Sequence, residues 1–296
     1  MYEPDSDRFD RTRLQLLFDD TLSLALHGYL TNDATLRAHA ASLARTWFIT
    51  PTSRMHPHLQ YAQVRRGHND DQGNPSGIIE FKDVYYFLDA VRLLEMDGAL
   101  TEDDMRDVRG WFDEYLEWLS TSRQGRSEVE ASNNHGTLYD LQVAAIARFL
   151  RRYELLAEIG ERAQERLLNH FDAHGRQPHE LARRATAHYC AFNLQSWVNL
   201  ASLLSGVGVD LYSVEGRDGR GLQRGLEWFL DASSRGDEGW PYEQIDAFDW
   251  ERREPLLAAY ADAYNDNAFG APSTTRTRFH PHDGIPPFWQ LSRGRK

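Results

Sequence analysis

The sequence predicts an all-α fold, and three observations carry that expectation. Apolar residues recur at spacings of three and four along most of the chain, no stretch alternates with a period of two, and most connections between the periodic segments are short. Such segments bury their apolar stripes by pairing as antiparallel helices packed side by side. No fixed repeat is visible, which disfavours a consensus solenoid. At 296 residues the chain is read as one large domain over 1–296 rather than two equal halves. Residues 270–296, rich in Pro and Ser/Thr, are read as an extended tail.

The elements follow in order. Residues 11–30 place Leu14, Leu17, Phe18, Leu22, Ala25 and Tyr29 on one stripe, and residues 33–48 do the same with Leu36, Ala40, Leu43 and Trp47. Thr31-Asn32-Asp33 supplies the turn and an N-cap between them. A third helix is expected over 80–95. A fourth starts at Thr101, whose spacing to Asp104 suits a capping box, with Met105, Val108, Phe112, Tyr115 and Leu119 facing the core. Further helices are expected over 138–151, 154–170, 187–206, 220–233 and 254–265.

Composition excludes several classes. With 8 Trp, 13 Tyr and 14 Phe, and 41% hydrophobic residues, the chain can bury a large core. No apolar run approaches the roughly 20 residues of a spanning helix, so no membrane role is expected. The balance of 33 Lys+Arg against 45 Asp+Glu gives a net charge of −12, which argues against a nucleic-acid partner but not against a polyanion in a locally basic cleft. A single cysteine, Cys190, excludes an internal disulfide and a multi-thiolate zinc site. Met1-Tyr2-Glu3-Pro4-Asp5-Ser6-Asp7 has neither a basic nor an apolar region of a secretion signal, leaving a cytoplasmic address open.

The polar residues that invite a chemical reading lie between helices. Two connections are long, 51–77 and 120–137, and long loops in compact domains usually have a task. The second ends in Asn133-Asn134-His135-Gly136-Thr137-Leu138-Tyr139-Asp140, two amides and an imidazole at a loop-to-helix junction. Capping would account for one amide alone. A second cluster, Glu180-Leu181-Ala182-Arg183-Arg184, leads into Tyr189 and Phe192-Asn193-Leu194. Arg183 and Tyr189, six residues apart, lie on different faces of a continuous helix, so both reach one site only if Arg183 sits in the preceding loop or first turn. The third cluster, Arg54-Met55-His56-Pro57-His58-Leu59-Gln60-Tyr61-Ala62-Gln63 with Arg65, Arg66 and His68, is polar, aromatic and basic at once. It reads either as a solvated loop or as part of a sugar-acid cleft. The His-Pro-His triplets at His56/His58 and His280/His282 lack a completing carboxylate or thiolate set, so no metal is expected.

In order, Trp47-Phe48-Ile49-Thr50-Pro51, Leu59-Gln60-Tyr61-Ala62-Gln63, Gly77-Ile78-Ile79-Glu80, Asn133-Asn134-His135-Gly136-Thr137, Glu180-Leu181-Ala182-Arg183 and Tyr189 resemble the alginate lyase domain family, α/α-toroid polysaccharide lyases that cleave uronic-acid polymers. The pattern looks closest to members acting on mannuronan or glucuronan. The resemblance implies an incomplete toroid, since members usually carry about a hundred residues before the first helix matched here. It also implies a secreted or periplasmic address, an acidic polysaccharide substrate, a monomer and no cofactor. Leu138 stands where an aromatic is usual, and Arg184 where a small hydroxyl residue is common.

By that resemblance the catalytic residues are Tyr189, His135, Asn134 and Arg183. Asn133, Gln63, Arg66, His68, Trp47, Tyr139 and Trp240 are the substrate-binding set. A uronate C5 proton becomes removable when donors neutralise the C6 carboxylate, a task for Asn134, His135 and Arg183. Tyr189 is then the base, a phenol that ordinarily titrates near about 10 and so needs positive charge beside it. Two alternatives stay open: a toroid glycoside hydrolase using carboxylates among Glu80, Asp83 and Glu130, and a non-catalytic carbohydrate-binding module.

Overall fold

A computed structural model describes residues 10–65 and 67–270 of the chain. These residues form helices and short 3₁₀ turns; the only extended pairings among them are two isolated bridges, Ala185 with Gln244 and Glu215 with Gly221. The expected tail, His280 and His282, and Arg66 lie outside the described residues. The chain divides into two compact units, one of residues up to Glu130 with Ala145–Tyr153, the other of Ala131–Ala144 with residues from Glu154 onward.

In the first unit α1 (Asp10–Leu30) packs on α2 (Ala34–Phe48) and α3 (Val84–Met96). The turn between α1 and α2 is the expected one: Asn32 takes a positive φ, and the Asp33 carboxylate accepts from the Thr35 and Leu36 N–H groups. The buried stripe of α2 is rotated from the expected one. Ala40, Ala41, Ala44 and Phe48 face inward, while Leu36, Leu43 and Trp47 are only half-buried and Tyr29 of α1 is exposed. Small residues let the helix backbones approach, which a count of large apolar positions does not register.

Helix α4 (Glu102–Thr121) opens with the expected Thr101/Asp104 capping box. Asp104 also takes a two-point contact from Arg45, at 3.0 and 2.7 Å, and that bond holds its carboxyl well below the usual range. Phe18, Phe48, Phe81, Phe87, Trp111, Phe112 and Tyr115 form one aromatic core. The Trp111 indole donates to the Met55 carbonyl at 2.7 Å and so anchors the 51–77 connection. Two details differ from the sequence reading. Residues 80–83 belong to a 3₁₀ turn (Pro75–Phe81) and its exit, so α3 starts at Val84. The 120–137 connection contains α5 (Arg123–Val129), capped by Ser122; a Cβ on Gly125 would lie 1.7 Å from the Leu119 carbonyl oxygen. Seven residues are too few for periodicity to show.

The second unit is built on α7 (Tyr153–His170), the single turn α8 (Pro178–Leu181), α9 (Thr186–Ser205), α10 (Leu222–Ala232), α11 (Arg253–Tyr264) and the start of α6 (Asn134–Phe149). Helix α9 buries Ala187, Cys190, Ala191, Leu194, Trp197, Val198, Leu200, Ala201 and Leu204, apolar nearly all round as a central helix must be. Beside it lies a buried polar network. Thr137 Oγ1 donates to Asn193 Oδ1 at 2.8 Å, Asn193 Nδ2 donates to Gln177 Oε1 at 2.8 Å, and Gln177 Nε2 donates to the Cys190 backbone carbonyl at 3.1 Å. The Trp197 indole donates to His170 Nδ1 at 3.3 Å, while Nε2 is buried without a partner.

Burial, with the nearby charges of Arg166 and His179, lowers the His170 pKa from 6.5 to about 3. The sign follows directly: below about pH 6.5 the unfolded chain takes up a proton that the folded chain refuses, so stability present above that pH is lost as pH falls toward 3. Near pH 5 the loss from this residue is about 2 kcal/mol. Urea unfolding at neutral pH and near pH 5 should show it, and His170→Gln should flatten the difference; an unchanged difference would assign the acid lability to other groups.

Candidate active site

The junction 133–136 is held by its own short contacts. Asn133 Oδ1 accepts from the His135 N–H at 3.1 Å, and its carbonyl accepts from the Gly136 N–H at 3.0 Å. Glycine is required next, because a Cβ at 136 would lie 1.9 Å from Arg166 Nη1 and 2.2 Å from the Ala131 carbonyl oxygen. Helix α6 starts at Asn134, one turn before the sequence reading placed it. Its first N–H is capped from afar: Asn134 N donates to Glu180 Oε1 at 2.7 Å and Asn134 Nδ2 to Glu180 Oε2 at 2.8 Å. Asn134 and Glu180 are fully buried, Asn133 and His135 half-buried.

Pro178 at the first position of α8 sets the turn that presents Glu180. Burial pushes the Glu180 carboxyl above its ordinary range; the two Asn134 bonds, then the charges of Arg183 and His135, pull the other way. Arg183 lies in the connection between α8 and α9, the condition under which it can share a site with Tyr189. Its guanidinium carbon is 3.9 Å from the centre of the Tyr189 ring. Tyr189 sits in the first turn of α9, half-buried, with the His188 ring edge-on at 5.2 Å.

The segment 240–245 fastens this end of α9. Thr186 donates through N and Oγ1 to the Glu243 carbonyl at 3.2 and 2.6 Å, Ala187 N donates to Gln244 Oε1 at 2.9 Å, and Ile245 N donates to the Arg184 carbonyl at 3.1 Å. Glu180 and Gln244 are the residues that sequence reasoning missed as parts of the site. Glu180 stood inside a quoted motif, but nothing local shows that its partner is Asn134; Gln244 caps a helix 57 residues away.

The alginate lyase family profile matches residues 1–240. The chain belongs to that family. Among solved structures it is similar to an alginate lyase from Bacteroides ovatus, with 27% identity, a TM-score of 0.89, and coverage of 95% of this chain and 75% of that one. No curated protein matches the sequence. For this alginate lyase family member the expected fold class, an all-α toroid, therefore stands, as does its nature as a polysaccharide lyase.

The other expected site residues are distributed as follows. Tyr139 and Trp240 are buried, with 5% and 8% of their surface exposed. Burial raises the Tyr139 phenol to about 12. Trp240 donates to Thr186 Oγ1 at 2.8 Å and packs among Trp228, Phe229, Tyr242 and Trp250. Trp47, Gln63 and His68 belong to the first unit. Trp47 is half-buried; Gln63 and His68 are exposed. Gln63 takes a positive φ, donates to Glu80 at 2.7 Å and accepts from Ser76 at 2.9 Å. Of the hydrolase candidates, Glu80 also holds Arg11 at 2.6 Å, and Asp83 is buried against Lys82 and Gln15. Among the described residues no group of three or more His, Cys, Asp and Glu is set to hold a metal, and no helix is long and apolar enough to cross a membrane.

Proposed function

We propose that the enzyme cleaves 4-linked uronic-acid polymers by β-elimination at mannuronate or glucuronate residues. One observation carries the reading: Arg183 lies over the Tyr189 ring, and Glu180, three residues before Arg183, holds Asn134, the neighbour of His135. Arg183 and His135 pair with the C6 carboxylate, and the Asn134 amide adds a hydrogen bond, so that charge can build on that carboxylate as the C5 proton leaves. The Tyr189 phenolate removes the proton. The C5–H electron pair becomes the C4=C5 double bond, the C4–O bond breaks, and the proton passes from Tyr189 to the departing glycosidic oxygen. In these sugars the C5 proton and the leaving oxygen lie on one face, so one tyrosine performs both transfers. Guluronate, inverted at C5, would need a second group across the ring, with His135 opposite Tyr189.

The test is incubation with defined polymannuronate, polyguluronate and glucuronan, following ultraviolet absorbance of the conjugated product alongside reducing ends. Elimination yields both signals together. Reducing ends without absorbance would mean hydrolysis, and neither signal on any polymer would refute this reading.

A further inference from the structure

Asn134 is held in an arrangement that is unfavourable for the fold by itself. Its Oδ1 is buried without a hydrogen-bond partner, although buried polar atoms are nearly always paired. Turning the amide over would give Oδ1 a new environment, but would bring it against the Glu180 carboxylate, which when ionised can only accept. Glu180 therefore dictates which end of the amide points away from it. An amide carries two hydrogens on nitrogen, and Glu180 takes one of them at 2.8 Å.

We propose that Glu180 is a positioning residue: by accepting from both the backbone N–H and the side-chain amide of Asn134, it fixes the amide so that its second Nδ2 hydrogen is kept for the carboxylate of the sugar being cleaved. This rests on the lyase reading above and deepens it. Glu180 faces Asn134 and His135 from α6, Arg183 from the α8–α9 connection and Cys190 from α9, whose buried thiol its charge helps to keep protonated. Its own burial raises its pKa above the ordinary carboxyl range. The protonated carboxyl can donate, and the constraint on the Asn134 amide is then released.

Glu180→Gln keeps shape and volume but offers one acceptor and one NH₂ group. The Asn134 backbone N–H cannot turn and claims the glutamine oxygen. The glutamine nitrogen then meets Asn134 Nδ2, donor against donor, and the conflict is relieved only by turning the Asn134 amide over. We expect kcat to fall about 100-fold, the scale of losing one well-placed donor, with KM nearly unchanged because Arg183 and His135 still bind the carboxylate. In protein carrying isotope-labelled asparagine, the Asn134 side-chain resonances, assigned by their loss in Asn134→Asp, should shift through a single acid titration in the parent and not in Glu180→Gln.

A parental kcat in Glu180→Gln, with the parent active, overturns the positioning role and leaves the lyase reading intact. A parent inactive on every polymer overturns that reading, and the resonances then judge the orientation by themselves. If Glu180→Gln does not fold, the parent's titration decides: Asn134 resonances indifferent to pH overturn the proposal.

Discussion

Tyr189→Phe is expected to slow β-elimination by roughly two to four orders of magnitude while leaving the chain folded. The substitution removes one oxygen from a half-buried ring whose contacts, the Arg183 guanidinium at 3.9 Å and the His188 edge at 5.2 Å, need no hydroxyl. Binding should survive as well, since Arg183, His135 and Asn134 are untouched. The loss therefore falls on kcat, because both the proton removed from C5 and the proton given to the leaving oxygen pass through the missing group. Initial rates on each polymer that the parent cleaves, with a thermal melt as control, make the measurement. Near-parental rates on all of them would show that the phenol is not the base. His135→Ala sharpens the result: on mannuronate or glucuronate it should weaken carboxylate neutralisation, whereas on guluronate it should match the tyrosine change.

What the sequence showed of this molecule depended on how local the signal was. The long helices were legible because their stripes repeat over several turns, and Asp33 and the Thr101/Asp104 box were legible because a cap and its target lie within three residues. Helices α5 and α8, of seven and four residues, have no period to read. The rotated face of α2 escaped for a different reason: alanine packing is decided by the neighbouring helix. In the candidate site, the junction 133–136 and the Glu180–Arg183 stretch were visible as unusual polar sequence. Their connection was not, because it runs through hydrogen bonds between residues 46 apart in the chain. An aromatic residue near a polar motif, such as Trp240 or Tyr139, looks the same in sequence whether it stacks on a sugar or fills a core.

Asp140→Ala is expected to be the most destabilising single change at the site, by about 3–5 kcal/mol. Asp140 is fully buried and accepts from Arg162 Nε at 2.8 Å through Oδ1 and from Arg166 Nε at 2.8 Å through Oδ2. Arg162 is one-third exposed and can turn to water, but Arg166 is only 10% exposed and would keep its charge beneath the surface without its carboxylate. The cost lies in that stranded charge, so Asp140→Leu combined with Arg166→Met should lose less than Asp140→Ala alone. The effect should also reach catalysis. Arg166 Nη1 donates to the Ala131 carbonyl at 2.6 Å and occupies the space that a Cβ on Gly136 would need, so it forms the floor under Asn134 and His135. Loosening it should lower kcat even at temperatures where the variant is fully folded, and urea unfolding with rates taken well below the midpoint separates the two effects. A stability loss under about 1 kcal/mol would mean that water reaches Arg166 and screens it. Full activity in a strongly destabilised variant would mean that the 133–136 turn holds its shape without that floor.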